Sequence, residues 1–157
     1  MNYTIRAIKK AEYPLLSNFL YEAIFIPEGV EPPPKDIINE PELRLYTDGF
    51  GEQKGDKALV AVVDGKVVGA VWTRIMNDYG HVDDETPSFA ISLYKEYRSG
   101  GLGTAMMRAM LERLRADGYE KASLAVQKAN YAVGMYKKVG FSVVDEKAEE
   151  YIMVCIL

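Results

Sequence analysis

The plainest pattern in the chain is "KALVAVVDGKVVGAVWTRIM", Lys57 to Met76, where two apolar, β-branched runs flank Asp64-Gly65. Both positions of a type I′ turn need a left-handed backbone, which Asp-Gly supplies, so the segment predicts an antiparallel hairpin. Upstream, "YTIRAI" (Tyr3 to Ile8) alternates with period two and predicts a strand. "EYPLLSNFLYEAIF" then places Leu15, Leu16, Phe19, Leu20 and Ala23 at helical spacing, with Pro14 suited to a first turn. "PEGVEPPPKD" predicts a loop, because consecutive prolines donate no backbone bonds. A shorter helix is expected from Lys35 to about Tyr46, interrupted by Pro41, and "TDGFGEQKGD" is expected to be a surface turn.

After the hairpin, "NDYGHVDDETP" predicts a polar connection and "SFAISLY" a strand. A helix follows from Leu102 to Asp117, with Ala105, Met106, Ala109, Met110 and Leu114 as its expected packed face and Gly118 as its stop. "KASLAVQ" reads as a strand, "ANYAVGMYKKVG" as a helix ending at Gly140, and "FSVVDE" and "EYIMVCIL" as strands. The order is β-α-α-β-β-β-α-β-α-β-β. Residues 88–126 form a strand–helix–strand unit and predict a right-handed crossover with parallel pairing, while the hairpins predict antiparallel pairing elsewhere. The expected class is α/β (α+β): a mixed, mostly antiparallel sheet with helices on both faces, in one domain over residues 1–157.

Composition narrows the function more than the fold. The net charge of −4 comes without a basic stripe or arginine-rich arm, so nucleic acid is not expected as a partner. No apolar run approaches the ~18 residues of a membrane span, and "MNYTIRAIKKAEY" lacks the apolar core of a signal peptide. A single cysteine, Cys155, excludes an internal disulfide, and the expected compartment is a reducing cytoplasm. No pair of histidines or cysteines is available for zinc, and no metal is assigned.

The candidate chemistry begins at "YRSGGLGTAMMRAM", Tyr97 to Met110, where glycines run straight into a helix. Gly100, Gly101 and Gly103 either only turn the chain or let a ligand approach. A loop after a strand and before a helix aims free N–H groups and the positive end of the helix dipole outward, which suits phosphate. Neither Gly-Lys-Ser/Thr nor G-x-G-x-x-G is present. Arg98-Ser99-Gly100-Gly101-Leu102-Gly103 instead resembles the Q/R-x-x-G-x-G/A loop of the GNAT superfamily of acyl-CoA-dependent N-acetyltransferases, and "LYKEYR" resembles the family's V-x-P-E-Y-R with Lys95 in place of proline. "NYAVGMYKKVGF" is similar to a second family motif through Asn130, Tyr136, Gly140 and Phe141, although Ala132 lies one position early.

The resemblance implies a GNAT-like fold with acetyl-CoA as co-substrate. Its pyrophosphate would rest on Arg98, Ser99, Gly100, Gly101, Leu102, Gly103 and Thr104, chiefly through backbone amides. Its pantetheine arm would pair with the backbones of Ile91 and Leu93, an arrangement insensitive to side chain. Asn130 is either a further contact to that arm or a cap of the following helix. Ser99 stands where family loops carry a glycine before a basic residue, so affinity is expected to lean on Arg98 or nearby lysines.

Tyr136, by the same resemblance, is the expected general acid. An ordinary phenol near pKa 10 can protonate a departing thiolate. An alkylamine acceptor is only about one part in 2,500 neutral at pH 7, which calls for a base. The family places a carboxylate near the start of the strand before the loop, where Pro87 and Ser88 cannot serve. Glu85 is expected to take that role ahead of Asp83 and Asp84, with His81 as a lesser option.

The acceptor pocket is expected beneath "YEAIFIPEGVEPPPKD", with Tyr21, Phe25 and Glu28 as contacts and Trp72 and Tyr79 as wall. The expected activity is acetyl transfer to a primary amine, most simply of a small molecule, with a homodimer left open. A non-catalytic acyl-CoA binding or sensing module is the alternative.

Overall fold

In the computed structural model, which describes residues 2–157, seven strands form one sheet in the order β1-β2-β3-β4-β5-β7-β6. The strands are β1 (Thr4–Ala7), β2 (Lys57–Val63), β3 (Lys66–Arg74), β4 (Ser88–Leu93), β5 (Lys121–Gln127), β6 (Phe141–Glu146) and β7 (Glu150–Ile156). The helices are α1 (Leu15–Ala23), α2 (Pro41–Arg44), α3 (Leu102–Ala116) and α4 (Ala132–Lys138). All neighbouring pairs are antiparallel except β4 with β5. Asp64 (φ 51°) and Gly65 (φ 78°) are both left-handed, as the type I′ turn requires.

Strand alternation divides the core in two. One face of the sheet packs Val71, Phe89, Leu93, Leu124 and Val126 under α3 and α4. The other packs Val60, Ala70 and Trp72 under α1, whose Leu16, Phe19 and Leu20 are buried. The expected helix at 35–46 is two pieces, a 3₁₀ turn at Lys35–Asn39 and the four-residue α2. Pro41 opens α2 at its first position, where its missing N–H costs nothing.

The packed face of α3 differs from the expected one. Met107 and Leu111 are buried with Leu102, Met106, Met110 and Leu114, whereas Ala105 and Ala109 are only half-buried. The longer side chains turn inward because α3 spans a sheet wide enough to bury a broad stripe. Trp72, expected to line a pocket, is fully buried and donates its indole N–H to the Tyr46 carbonyl at 3.0 Å.

Candidate active site

The site begins where β4 and β5 part. Their ladder holds a single pair, Ser88 with Ser123, beside which the Ser123 N–H reaches the Pro87 carbonyl at 2.9 Å. Tyr94 donates its N–H to Val68 of β3. By alternation the backbone groups of Pro87, Phe89, Ile91 and Leu93 therefore turn the other way, towards β5. Beyond the Ser88–Ser123 pair these edge groups face an open cleft. From that vertex to Leu93 the cleft runs five residues, about 17 Å.

The glycine loop closes the wide end. Gly101 (φ 85°) is the left-handed residue from which α3 starts, and its carbonyl takes the Ala105 N–H at 3.1 Å. The N–H groups of Leu102, Gly103 and Thr104 precede the first intrahelical bond and lie at the positive end of the dipole. A Cβ at Gly103 would meet Met135 Sδ at 3.4 Å and Leu93 Cδ1 at 3.7 Å, ordinary contacts, so packing does not demand glycine there. Ser99 is also left-handed (φ 69°), a conformation that strains any residue with a Cβ.

Arg98 is engaged within the protein. Its Nε donates to the Leu93 carbonyl at 2.9 Å, and an Nη2 N–H donates to the Glu22 carbonyl at 3.2 Å with the Glu22 carboxylate 3.7 Å away. The guanidinium thus pins the end of β4 to α1 and holds the loop in register. Asn130 Oδ1 accepts the Ala132 N–H at 2.9 Å, so the helix-entry reading of this residue is realised while its amide N–H₂ stays available.

Tyr136 lies on α4, 9% exposed, its ring edge-on to Phe141 at 6.2 Å, and Phe141 is edge-on to Phe89 at 5.7 Å. Burial, with the neighbouring Tyr131 adding to it, raises its pKa above the ordinary phenol value. The phenol therefore keeps its proton throughout the neutral range.

The acidic turn is tied down by its own contacts. Glu85 and Asp84 are exposed, and of Glu85 only the backbone N–H is engaged, by Asp83 Oδ1 at 2.9 Å. Asp83 accepts from Thr86 Oγ1 at 2.7 Å and pairs with Lys121 at 2.9 Å, and these partners hold its carboxyl down to about 2. His81 Nδ1 lies 2.8 Å from the Met76 carbonyl. These contacts fold the turn onto β5.

The residue the sequence reading passed over is Asp78. Its Oδ2 accepts from Ser88 Oγ at 2.7 Å and from the Tyr46 hydroxyl at 3.0 Å, at the vertex of the cleft. Burial and then Asp78 push the Tyr46 phenol upward, so this hydroxyl also stays protonated. The only signal for Asp78 in the sequence was "NDYG", a turn with no evident reason for its glycine. In the fold a Cβ at Gly80 would stand 2.9 Å from the Ala125 N, the Leu124 carbonyl carbon and Ser88 Oγ. Only glycine lets this loop pass so close to β5 and Ser88.

On the α1 face, Tyr21 donates its hydroxyl to the Pro33 carbonyl at 2.6 Å and lines a small pocket of about 210 Å³ with Glu22, Lys35 and Tyr94. A larger cavity of about 600 Å³ lies between α2 and the end of β3, bounded by Arg44, Asp48, Met76 and Asn77 beside Asp78. Of the other expected pocket residues, Phe25 is half-buried, and Glu28 and Tyr79 are exposed.

The family model "Acetyltransferase (GNAT) family" matches residues 20–141, a span that takes in the cleft, the loop and α4. The chain belongs to the GNAT acetyltransferase family. Among curated relatives it is 33% identical over 112 residues to a probable N-acetyltransferase, san, of Drosophila melanogaster, covering 69% of this chain and 58% of that protein. It is 30% identical over 112 residues to the L-amino acid N-acetyltransferase AaaT of Escherichia coli, covering 68% of this chain and 65% of the relative. The matched part thus spans less than two thirds of either relative's own length.

Among solved structures, the PaiA N-acetyltransferase of Thermoplasma acidophilum in complex with coenzyme A superposes with a TM-score of 0.71 at 18% identity, covering all of both chains. A GNAT-family acetyltransferase of Streptococcus pneumoniae also reaches 0.71, at 19% identity, over 99% of this chain and 100% of that one. These likenesses concern the fold.

The family is one of acetyl-CoA-dependent acyltransferases, and the residues of this GNAT chain fit that co-substrate. Unpaired amides at the start of α3 suit a pyrophosphate, and the free edge of β4 suits an extended, amide-bearing arm. Among the described residues no helix is long and apolar enough to cross a membrane.

Proposed function

We propose that this protein transfers an acetyl group from acetyl-CoA to a primary amine, most simply of a small molecule, by direct attack within a ternary complex. The observation that carries the reading is the parting of β4 and β5 after one pair, with the glycine loop at its mouth and Tyr136 beside it. Leu102, Gly103 and Thr104 would hold the pyrophosphate through their N–H groups, with the Thr104 hydroxyl within reach of the same anion. Ile91 and the Leu93 N–H would bind the arm. Arg98, Ser99, Gly100 and Gly101 shape the loop, and Asn130 would offer its free amide to the arm.

Bound in this way, the co-substrate supplies an activated acetyl group as a thioester. Tyr136 would deliver its O–H proton to the departing sulfur. Its raised pKa keeps that proton in place until negative charge develops on the sulfur. The acceptor would enter from the α1 face, where the two cavities lie. The name of the Escherichia coli relative makes L-amino acids the first acceptors to try, followed by polyamines and N-terminal peptide amines. The reading carries with it a single catalytic domain working in the cytoplasm, alone or as a homodimer.

A thermal melt with and without acetyl-CoA tests the cofactor half. Saturation at about 100 times Kd adds roughly 2.7 kcal/mol, a rise of roughly 5–11 °C for a chain of this size. No shift at millimolar acetyl-CoA would refute it. The exposed position of Glu85 favours a second reading, acyl-CoA binding without turnover. A shift without CoA release in the presence of any of these amines would select it.

A further inference from the structure

Among the described residues, two side-chain polar atoms are buried without a hydrogen-bond partner, Asp78 Oδ1 and Ser123 Oγ. Buried polar groups are almost always paired, so two orphans in one molecule call for a reason. Both belong to the vertex of the cleft. Ser123 is the register partner of Ser88, and Ser88 Oγ donates to the other oxygen of Asp78. Ala122 and Leu124 belong to the core beneath α3, as does Phe89. By alternation Ser123 and Ser88 therefore both face the α1 side. Tyr136, on α4, lies on the opposite side.

We infer that Asp78 and Ser123 form the seat of the acceptor's ammonium group and that Asp78 is the base that deprotonates it. This rests on the acetyl-transfer reading above. The donor set is suited to a cation: a carboxylate oxygen with free lone pairs, a serine hydroxyl able to accept, and no cation already paired with Asp78 among the described residues. The titratable groups around the carboxylate are the Tyr46 phenol on its other oxygen, with Tyr79 and Glu150 acting on that phenol from further out.

One ammonium proton passes to Asp78 Oδ1. The freed nitrogen lone pair attacks the thioester carbonyl carbon, the C–N bond forms and the C–S bond breaks. The sulfur takes the Tyr136 proton. The second nitrogen proton, lost as the amide forms, restores the Tyr136 phenol, and Asp78 returns its own proton to solvent. Acid and base thus work from opposite faces of the parted strands.

The test compares acceptors that need a base with one that does not. CoA release is measured for the native protein, Asp78→Asn, Asp78→Glu and Ser123→Ala, with an L-amino acid, spermidine and an alanine-initiated peptide as protonated acceptors. Hydroxylamine, largely unprotonated at pH 7, is the control. For Asp78→Asn, kcat/KM with the protonated acceptors should fall about 10²–10⁴-fold and lose its acidic limb against pH. With hydroxylamine it should fall less than about tenfold, and the acetyl-CoA melting shift should persist. Asp78→Glu should regain part of the loss, and Ser123→Ala should raise KM for the amine.

An equal loss with both kinds of nucleophile, or an unfolded Asp78→Asn with Ser123→Ala kinetically silent, would overturn the assignment and leave Asp78 as a structural anchor. No CoA release by the native protein with any acceptor would overturn the transfer reading itself.

Discussion

Replacing Arg74 by methionine should unfold this protein at a markedly lower temperature, although its guanidinium takes no part in the proposed chemistry and Arg74 meets the site only as the strand partner of Ser88 and in the wall of the larger cavity. Its side chain is 3% exposed and that of Asp56 is fully buried. The guanidinium grips the carboxylate with both prongs, Nε to Oδ1 at 2.9 Å and Nη2 to Oδ2 at 3.2 Å. Its remaining nitrogen donates to the carbonyls of Leu45 at 3.0 Å and Asp48 at 2.6 Å. Asp56 Oδ2 also accepts the N–H groups of Gly51 and Gln53.

Methionine fills the same space but leaves a buried carboxylate without its cation and two carbonyls without donors. Breaking a buried pair by removing one partner costs about 3–5 kcal/mol. At roughly 2–4 °C per kcal/mol that is a fall of about 6–20 °C in Tm. Urea unfolding of Arg74→Met, Asp56→Leu and the double variant closes a thermodynamic cycle. The pair should be coupled by about 2 kcal/mol or more, with the double variant less damaged than the sum of the singles. A single-variant cost below about 1 kcal/mol, or strict additivity, would refute the reasoning. Lysine at 74 should recover only part of the loss, since it cannot make the two-pronged contact.

The remaining expectations concern the loop, the acid and an ion pair near the N-terminus. Tyr136→Phe should lower kcat about 10²–10⁴-fold while leaving the acetyl-CoA melting shift intact; full activity would remove the acid role. Ser99→Gly relieves about 1–2 kcal/mol of left-handed strain against roughly 0.4–1 kcal/mol from a freer unfolded chain, so Tm should rise, by up to about 6 °C; a fall would mean the serine side chain contributes something else. Gly101→Ala should destabilise by about 1–2 kcal/mol and weaken acetyl-CoA binding together, because φ of 85° is lost with the loop's shape; unchanged binding would separate the loop from the ligand.

Arg6, with help from the Lys9 N–H, holds the Glu12 carboxyl down to about 2 from its usual 4.5. A depressed carboxyl contributes stability that is whole above pH 4.5 and fades as pH falls towards 2. The Tm gap between the native protein and Glu12→Gln should therefore close over that window, and a gap independent of pH would count against the pair.

The parts of the fold that local chemistry dictates were legible in the sequence. Asp64-Gly65 announced the hairpin, Gly118 and Gly140 ended their helices in left-handed conformations, and the glycine run marked the start of α3. What stayed hidden was decided by long-range packing. Tyr46 and Asp78 are 32 residues apart in the chain, and nothing in "PELRLYTDGF" or "NDYGHVDD" says that they meet. Glu85 looked better placed because it is close to β4 along the chain, but the turn that carries it is tied to Lys121 of β5 through Asp83 and leaves the Glu85 side chain exposed. Arg98 was read by its charge alone, and its bonds to the Leu93 and Glu22 carbonyls, which depend on the approach of α1, had no signal in the sequence. The packed stripe on α3 slipped for a similar reason: small alanines fit a helical pattern, yet the sheet buried the larger Met107 and Leu111.

The parting of β4 from β5 also has a mechanical side. Residues 4–93 build one four-stranded block and residues 121–156 a three-stranded one, and the covalent chain passes between them once, through α3. One rung, the shared core beneath α3 and α4, and the turn tied to β5 through Asp83 and Lys121 are what keep the two blocks from drifting apart. A ligand lying in the gap would act as the missing staple between them. Amide exchange at Phe89, Ile91 and the β5 edge should then report how firmly the halves are held, and the stretch between Leu93 and Lys121 is the natural seam at which the protein could be cut into two pieces that reassemble around acetyl-CoA.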